Sequence, residues 1–445
     1  MNTPIYDFVT GYAESGIARM HMPGHKGIGA LGVERFDLTE IKGADSLYEA
    51  DGIIAESERN AGGIFGSHCF YSTEGSSLAI RAMVYLTSLY LKKHRRAPRI
   101  LAARNAHKSF ASAVALTDAE VEWLYTESAD GYLSAGDLLS SLRGYIDTHK
   151  RDTLPGALYI TAPDYLGNLP NIEGIAKLCH SVGMLLLVDN AHGAYLKFLR
   201  SSLHPIDLGA DMCCDSAHKT LSALTGTAYL HISPSAPEFF LQNAKSAMAL
   251  FASTSPSYLM LSSLDLLNKR LAESYREELS AFIENLDICK QRLSNHGYNL
   301  LGNEPMKITV DAKKYGYTGY ELAELLRQQK TECEFADRDF LVLMPTPSCG
   351  SLDAMVGTLL EIKKREGILS KAPTVPLIKK AVSIREALFS PSEALPACEC
   401  EGRILADASV GCPPAVPILF PGEIITSEAI AAFSYYGIEK IRVVS

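Results

Sequence analysis

A chain of 445 residues is too long for one simple core, so two or three domains are expected. Hydrophobic content of 47% and charged content of 21% are ordinary globular values, and a net charge of −9 argues against a general nucleic-acid binder. Ten cysteines without CxxC spacing form no disulfide framework, no metal site is expected, and no apolar run nears the roughly 18 residues of a membrane span.

Residues 1–50 read as an arm whose first stretch, MNTPIYDFVTGYAESG, lacks the basic-then-apolar pattern of a signal peptide. With reduced cysteines, that makes the cytoplasm the expected compartment. MPGHKG (22–27) packs two glycines, a proline, His25 and a lysine into six residues, which predicts a loop held close to something, with a tight turn of incidental charges as the alternative. From residue 51 the pattern alternates. A helix over 54–62 leads to an apolar piece at 69–71, and Gly75-Ser76-Ser77 then opens an amphipathic helix reaching residue 93. Free N–H groups, hydroxyls and the positive dipole end make that start a phosphate site; a plain serine N-cap is the simpler reading. The basic run Lys92–Arg96 reads as this helix's solvated last turn.

Strands are expected at 99–103, 121–125, 157–161, 184–188 and 227–232, with helices at 107–116 and 172–181. Strands apolar on both faces alternating with helices predict an α/β fold with a mainly parallel sheet, covering residues 51–265. Helices over 259–293 bridge to a smaller α/β domain at 266–375. Residues 376–445, punctuated by proline, form a compact appendage ending in a helix at 427–436 and a strand at 440–444.

Ligands on such sheets bind at the carboxyl ends of the strands. Four polar groups fall there: Asn105–Ser109 with His107, Pro163-Asp164-Tyr165, Asp189–His192 and Ser216–Lys219. Each has an account as turn chemistry, but one ring-shaped ligand touched by all four explains them together. Asp189 ends a buried strand, and about 30 residues later Lys219 sits between His218 and Thr220. Pyridoxal 5′-phosphate (PLP) needs that set: a lysine for the Schiff base, a carboxylate to keep the ring nitrogen protonated, and donors for the phosphate.

The motifs MPGHKG, FGSHCFYSTEGSS, RNAHKS, VDNAHGAY, GADMCCDSAHKTLSALTGTAYLH and TSPSY, with a C-terminal GR…PP..P…PGE, occur in one order along the chain. In them the chain resembles the bacterial Orn/Lys/Arg decarboxylase family, over nearly its whole length and in the short form that lacks a receiver-like N-terminal wing. The resemblance implies the aspartate-aminotransferase-like fold (type I), with a seven-stranded, mainly parallel sheet in the large domain. It implies that Lys219 carries PLP, that Ser216, His218, Gly75, Ser76 and Ser77 hold its phosphate, that His107 stacks on the ring, and that His192 lies near the ring oxygen. Thr254 or Ser255 would reach the phosphate in a partner subunit, since such sites lie at a homodimer interface. The expected reaction is α-decarboxylation of arginine, lysine or ornithine, within polyamine metabolism, with Lys219 or His218 returning the proton. His25, Asp45, Glu401 and Glu423 are candidates for reading the substrate, the three acids for its distal cation. The rivals are an aminotransferase, with Arg385 as its carboxylate clamp, another lyase, or a non-catalytic PLP-binding protein. Three positions depart from the family: Gly226 where many members have Gln, Cys412 in place of Tyr, and Ala415 in place of Gly.

Overall fold

The computed structural model describes residues 1–125, 138–370, 372–373, 379–408, 410 and 417–445. Cys412 and Ala415 lie outside the described residues. Seven short strands form the main sheet: β1 His68–Ser72, β2 Arg99–Ala103, β3 Glu120–Leu124, β4 Ala157–Thr161, β5 Leu185–Asp189, β6 Met212–Asp215 and β7 Ala228–Ile232. Their order is β1-β7-β6-β5-β4-β2-β3. β2 runs parallel to β3 and β4, and β5 to β6, while β7 is antiparallel to both β6 and β1. Every residue of β5, β6 and β7 is buried, which is why these segments read as unbroken apolar runs rather than alternating ones. The mainly parallel α/β sheet expected from the sequence is present, with the antiparallel pairings of β7 at one edge.

Among the described residues ten helices accompany these strands: α1 Pro4–Glu14, α2 Ile53–Phe65, α3 Gly75–Lys93, α4 Lys108–Thr117, α5 Leu138–Thr148, α6 Ile172–Ser181, α7 Ala217–Thr220, α8 Glu238–Ala249, α9 Tyr258–Glu273 and α10 Tyr275–His296. The chain divides into two compact units, Met1–Ala97 with Leu185–Leu279, and Pro98–Met184 with Ser280–Ser445.

In the first unit the arm is more regular than its composition suggests. α1 buries Ile5 and Val9, four apart on one face, and carries proline in its first turn. Its N-cap Thr3 makes no capping bond. Asp265 of α9 instead accepts the Ile5 and Tyr6 N–H groups at 2.9 and 3.0 Å. A cap supplied from some 260 residues away leaves no local signature, so this helix was missed in the sequence.

The second unit holds β2, β3 and β4 and two further sheets. β8 Leu300–Leu301, β9 Ile308–Asp311, β10 Phe335–Ala336 and β11 Phe340–Leu343 form an antiparallel sheet ordered β10-β11-β9-β8. α11 Gly319–Gln328 and α12 Leu352–Glu361 share one core with it, built on Val310, Leu326, Leu341 and Val356. Nearer the C-terminus come α13 Ile384–Phe389, β12 Ser392–Pro396, α14 Ser427–Tyr435 and β13 Lys440–Val444. β12 pairs antiparallel with β13, and Leu405, Leu419, Ile425, Phe433 and Val443 fill a separate core beneath them. Among the described residues no helix is long and apolar enough to cross a membrane.

Candidate active site

The site begins where β5 and β6 end. Their parallel register sets Asp189 opposite Cys214. Asp189 is 2% exposed, and its Oδ1 accepts the Ala191 N–H at 3.2 Å and the Cys214 thiol at 3.5 Å. One residue past β6, Ser216 stands at the N-cap position of the single turn of α7, without a capping bond from its side chain, and that turn displays Lys219. His192, buried in the turn after β5, brings its Nε2 to 3.1 Å from the Lys219 Nζ. An amine and an imidazole 27 residues apart thereby share a hydrogen bond at the end of two adjacent strands. His218 Nδ1 donates to the Thr227 carbonyl at 2.8 Å, which fixes the ring and makes Nδ1 its protonated nitrogen.

Above this turn, Ser216 Oγ donates to Ser76 Oγ at 3.0 Å. Ser76 lies in the first turn of α3, whose N-cap Glu74 makes no capping bond with its side chain. The Glu74 carboxylate is turned to the Ser253 N–H at 2.6 Å, which leaves the positive end of a 19-residue helix without a carboxylate cap from its own N-cap. Gly75 adopts φ +69°, with open space where a Cβ would stand, and its N–H donates to the Gly226 carbonyl at 2.7 Å. Gly226 is itself left-handed, at φ +94°, and a Cβ there would lie 3.1 Å from Met260 Cε. Glycine at this departure from the family pattern is therefore required by the backbone that ties the lysine loop to α3. Thr254 is exposed in the turn that Ser253 anchors. Lys219, Asp189 and His192, with the hydroxyls at the start of α3, fit PLP: amine for the aldehyde, buried carboxylate for the ring nitrogen, donors for the phosphate.

The family model described as Orn/Lys/Arg decarboxylase, major domain, matches residues 3–309. This chain belongs to that family. An arginine decarboxylase of Halalkalibacterium halodurans is 30% identical to it over 96% of this chain and 92% of the relative. An arginine decarboxylase of Bacillus subtilis is 29% identical, with the same coverage. Among solved structures, the lysine decarboxylase of Francisella novicida superposes with a TM-score of 0.79 at 17% identity, covering 100% of this chain and 81% of that one. Lysine decarboxylase A of Pseudomonas aeruginosa gives 0.80 at 18% identity, covering 99% and 80%. At such identities these structures speak for the fold, and the fold is that of type I PLP enzymes. The chain is a PLP-dependent basic amino acid decarboxylase.

The remaining predicted residues of this decarboxylase are placed as follows. In the second unit, His107 caps α4: its Nδ1 accepts the Ser109 N–H at 3.3 Å, and the ring is exposed. Asp164 accepts from Asn168 N–H and Nδ2 at 2.9 and 2.8 Å, so its carboxylate closes a turn. His25 is half-buried, with Nε2 3.1 Å from Asp37 and Nδ1 accepting the Gly27 N–H at 2.9 Å. Asp45 is buried and accepts five backbone N–H groups, from Ser46, Asp51, Gly52, Ile54 and Ala55, at 2.9 to 3.3 Å. That carboxylate caps α2. Glu423 faces Arg104, which also donates to its Oε2 at 3.2 Å, while Phe420 N–H donates to Oε2 at 2.7 Å. Glu401 is exposed on a turn. Two of the three candidate acids are thus engaged by their own chain. Sequence reasoning missed Arg104 itself, whose guanidinium lies 5.0 Å from the Trp123 ring and 4.7 Å from Phe420. It also missed a buried cluster of Asn190, His204, Asp215 and His231.

Proposed function

We propose that this enzyme removes the α-carboxylate of arginine, releasing carbon dioxide and the corresponding amine, as a homodimer in the cytoplasm and as part of polyamine metabolism. The observation that carries the choice is the pair of relatives named as arginine decarboxylases at 29–30% identity over nearly the full chain. PLP, when bound, supplies the electron sink for the bond that breaks. Lys219 is assigned as its attachment point and as a proton carrier, and the 3.1 Å bond to His192 Nε2 holds the amine at one position. Asp189, buried beyond solvent competition, is assigned to keep a cationic ring nitrogen charged. Ser76, Ser77 and Ser216, with the Gly75 turn, are assigned to the phosphate. His218, held through Nδ1, is assigned to return a proton to the substrate carbon from Nε2 when its ring is doubly protonated. His107 and Thr254 keep the roles that the family resemblance gave them, and the four-part division at residues 50, 265 and 375 is kept as the working domain map.

The aminotransferase reading needs an arginine for a second substrate carboxylate. Arg385 donates to the Ala115 carbonyl at 2.6 Å and lies 3.8 Å from Asp118, so it serves the C-terminal end of α4 instead. Incubation of the PLP-loaded enzyme with arginine, lysine and ornithine, scored for carbon dioxide, amine and keto acid, tests the proposal. The amine of arginine should dominate. Faster turnover of lysine or ornithine would overturn the substrate assignment, and keto acid as the main product would overturn the reaction.

A further inference from the structure

Beneath the coenzyme residues lies a polar cluster that none of the assignments above uses. His204, Asp215 and His231 are all 0% exposed. Asp215 Oδ2 accepts from His204 Nε2 at 3.0 Å and from His231 Nε2 at 3.2 Å, while Oδ1 accepts from Asn190 Nδ2 at 2.6 Å. Ser67 Oγ donates to His231 Nδ1 at 2.9 Å. Phe65 of α2 closes the cluster, its ring 5.6 Å from His204 and 4.6 Å from His231. Burial opposes ionisation of Asp215, yet the two imidazoles hold its carboxyl well below the usual carboxylate range. Burial also pushes His231 toward its neutral form, which suits a ring that donates through Nε2 and accepts through Nδ1.

The positions of these groups along the chain matter as much as their chemistry. Asn190 directly follows Asp189, and Asp215 directly precedes Ser216. Successive strand residues point to opposite faces. Asp189 and Cys214 meet on one face of the β5–β6 pair, while Asn190 and Asp215 meet on the other. The 2.6 Å bond is therefore a strut between the two strand ends, placed immediately behind the residues that grip the coenzyme. Burying an anion with three polar partners is costly in an apolar interior, and a core of aliphatic side chains would hold two strands without it. Such a group yields a fixed separation that dispersion packing gives less sharply.

We propose that Asn190, Asp215, His204 and His231 are positioning residues that set the distance between Asp189 and the Lys219 turn. The inference rests on the reading of Asp189 and Lys219 as coenzyme residues. Coenzyme-free Asn190→Ala should melt within a few degrees of the parent, bind PLP at least tenfold more weakly in an absorbance titration, and show a lower kcat with little change in KM. Asp215→Asn, which removes the charge but keeps the shape, should weaken PLP further. Parent-like affinity and an unchanged coenzyme spectrum in Asn190→Ala would overturn the proposal, whether or not Asp215→Asn folds. So would one equivalent of a divalent metal in the purified protein that is lost in Asp215→Asn, because the three side chains would then be ligands. If PLP attaches at a lysine other than Lys219, the site reading itself fails. If it attaches at Lys219 and Asn190→Ala is silent, only the positioning role fails.

Discussion

Asp189 and Glu423 are both acids that end up buried, and they are built in opposite ways. Asp189 takes a backbone N–H from two residues on and a thiol from the adjacent strand, partners within 25 residues of it. Glu423 meets a guanidinium 319 residues away, and that guanidinium packs on two aromatic rings. A carboxylate held by an amide and a thiol at the ends of two strands is the one we assign to a cationic ring nitrogen. One facing a guanidinium fork has its charge answered by the fold. Burial and charge alone therefore do not mark a chemical site.

The contrast should appear most sharply when each side is damaged. Lys219→Ala should lower kcat by about three orders of magnitude or more while the coenzyme-free protein melts close to the parent. A variant that kept more than a tenth of the parent rate would remove Lys219 from the chemistry. Glu423→Gln should do the reverse. Stripping one partner from a buried ion pair costs about 3–5 kcal/mol, so the melting temperature should fall by many degrees, and the enzyme that remains folded should retain its KM for the amino acid. A large rise in KM with an unchanged melting temperature would return Glu423 to the substrate site.

The smallest effect concerns Asp337, in the turn between β10 and β11. Burial raises its carboxyl to about 6, against backbone N–H bonds from Phe340 and Asp339 that favour the anion. The folded state thus binds a proton more tightly than the unfolded one, and stability falls as pH rises from about 4 through 6. Asp337→Asn should melt a few degrees above the parent at pH 7.5, and the gap should close toward pH 4. No gap at pH 7.5 would mean that the anion is fully compensated.

The same contrast explains what the sequence disclosed. The strands expected at 99–103, 121–125, 157–161, 184–188 and 227–232 and the helix at 172–181 were legible because each carries its own apolar period and its own end signals. The ends of β5 and β6 were legible because an acid, an imidazole and a lysine interrupt apolar runs at fixed short spacings. α1 was hidden because its cap, Asp265, lies in another helix. Asp45 and Glu423 looked like free acids for the same reason: the five amides on one and the arginine on the other are fixed by tertiary folding. The cluster around Asp215 left a fainter trace, a charged residue closing the run MCCD and a histidine inside the strand AYLHI. Read as irregularities in buried strands, those two residues were the available signal.

Reduction of the PLP-loaded enzyme with borohydride, followed by peptide mapping, addresses the central claim most directly. The account predicts one stable pyridoxyl group per chain, on Lys219. A label on any other lysine, or none on coenzyme-saturated protein, would contradict it.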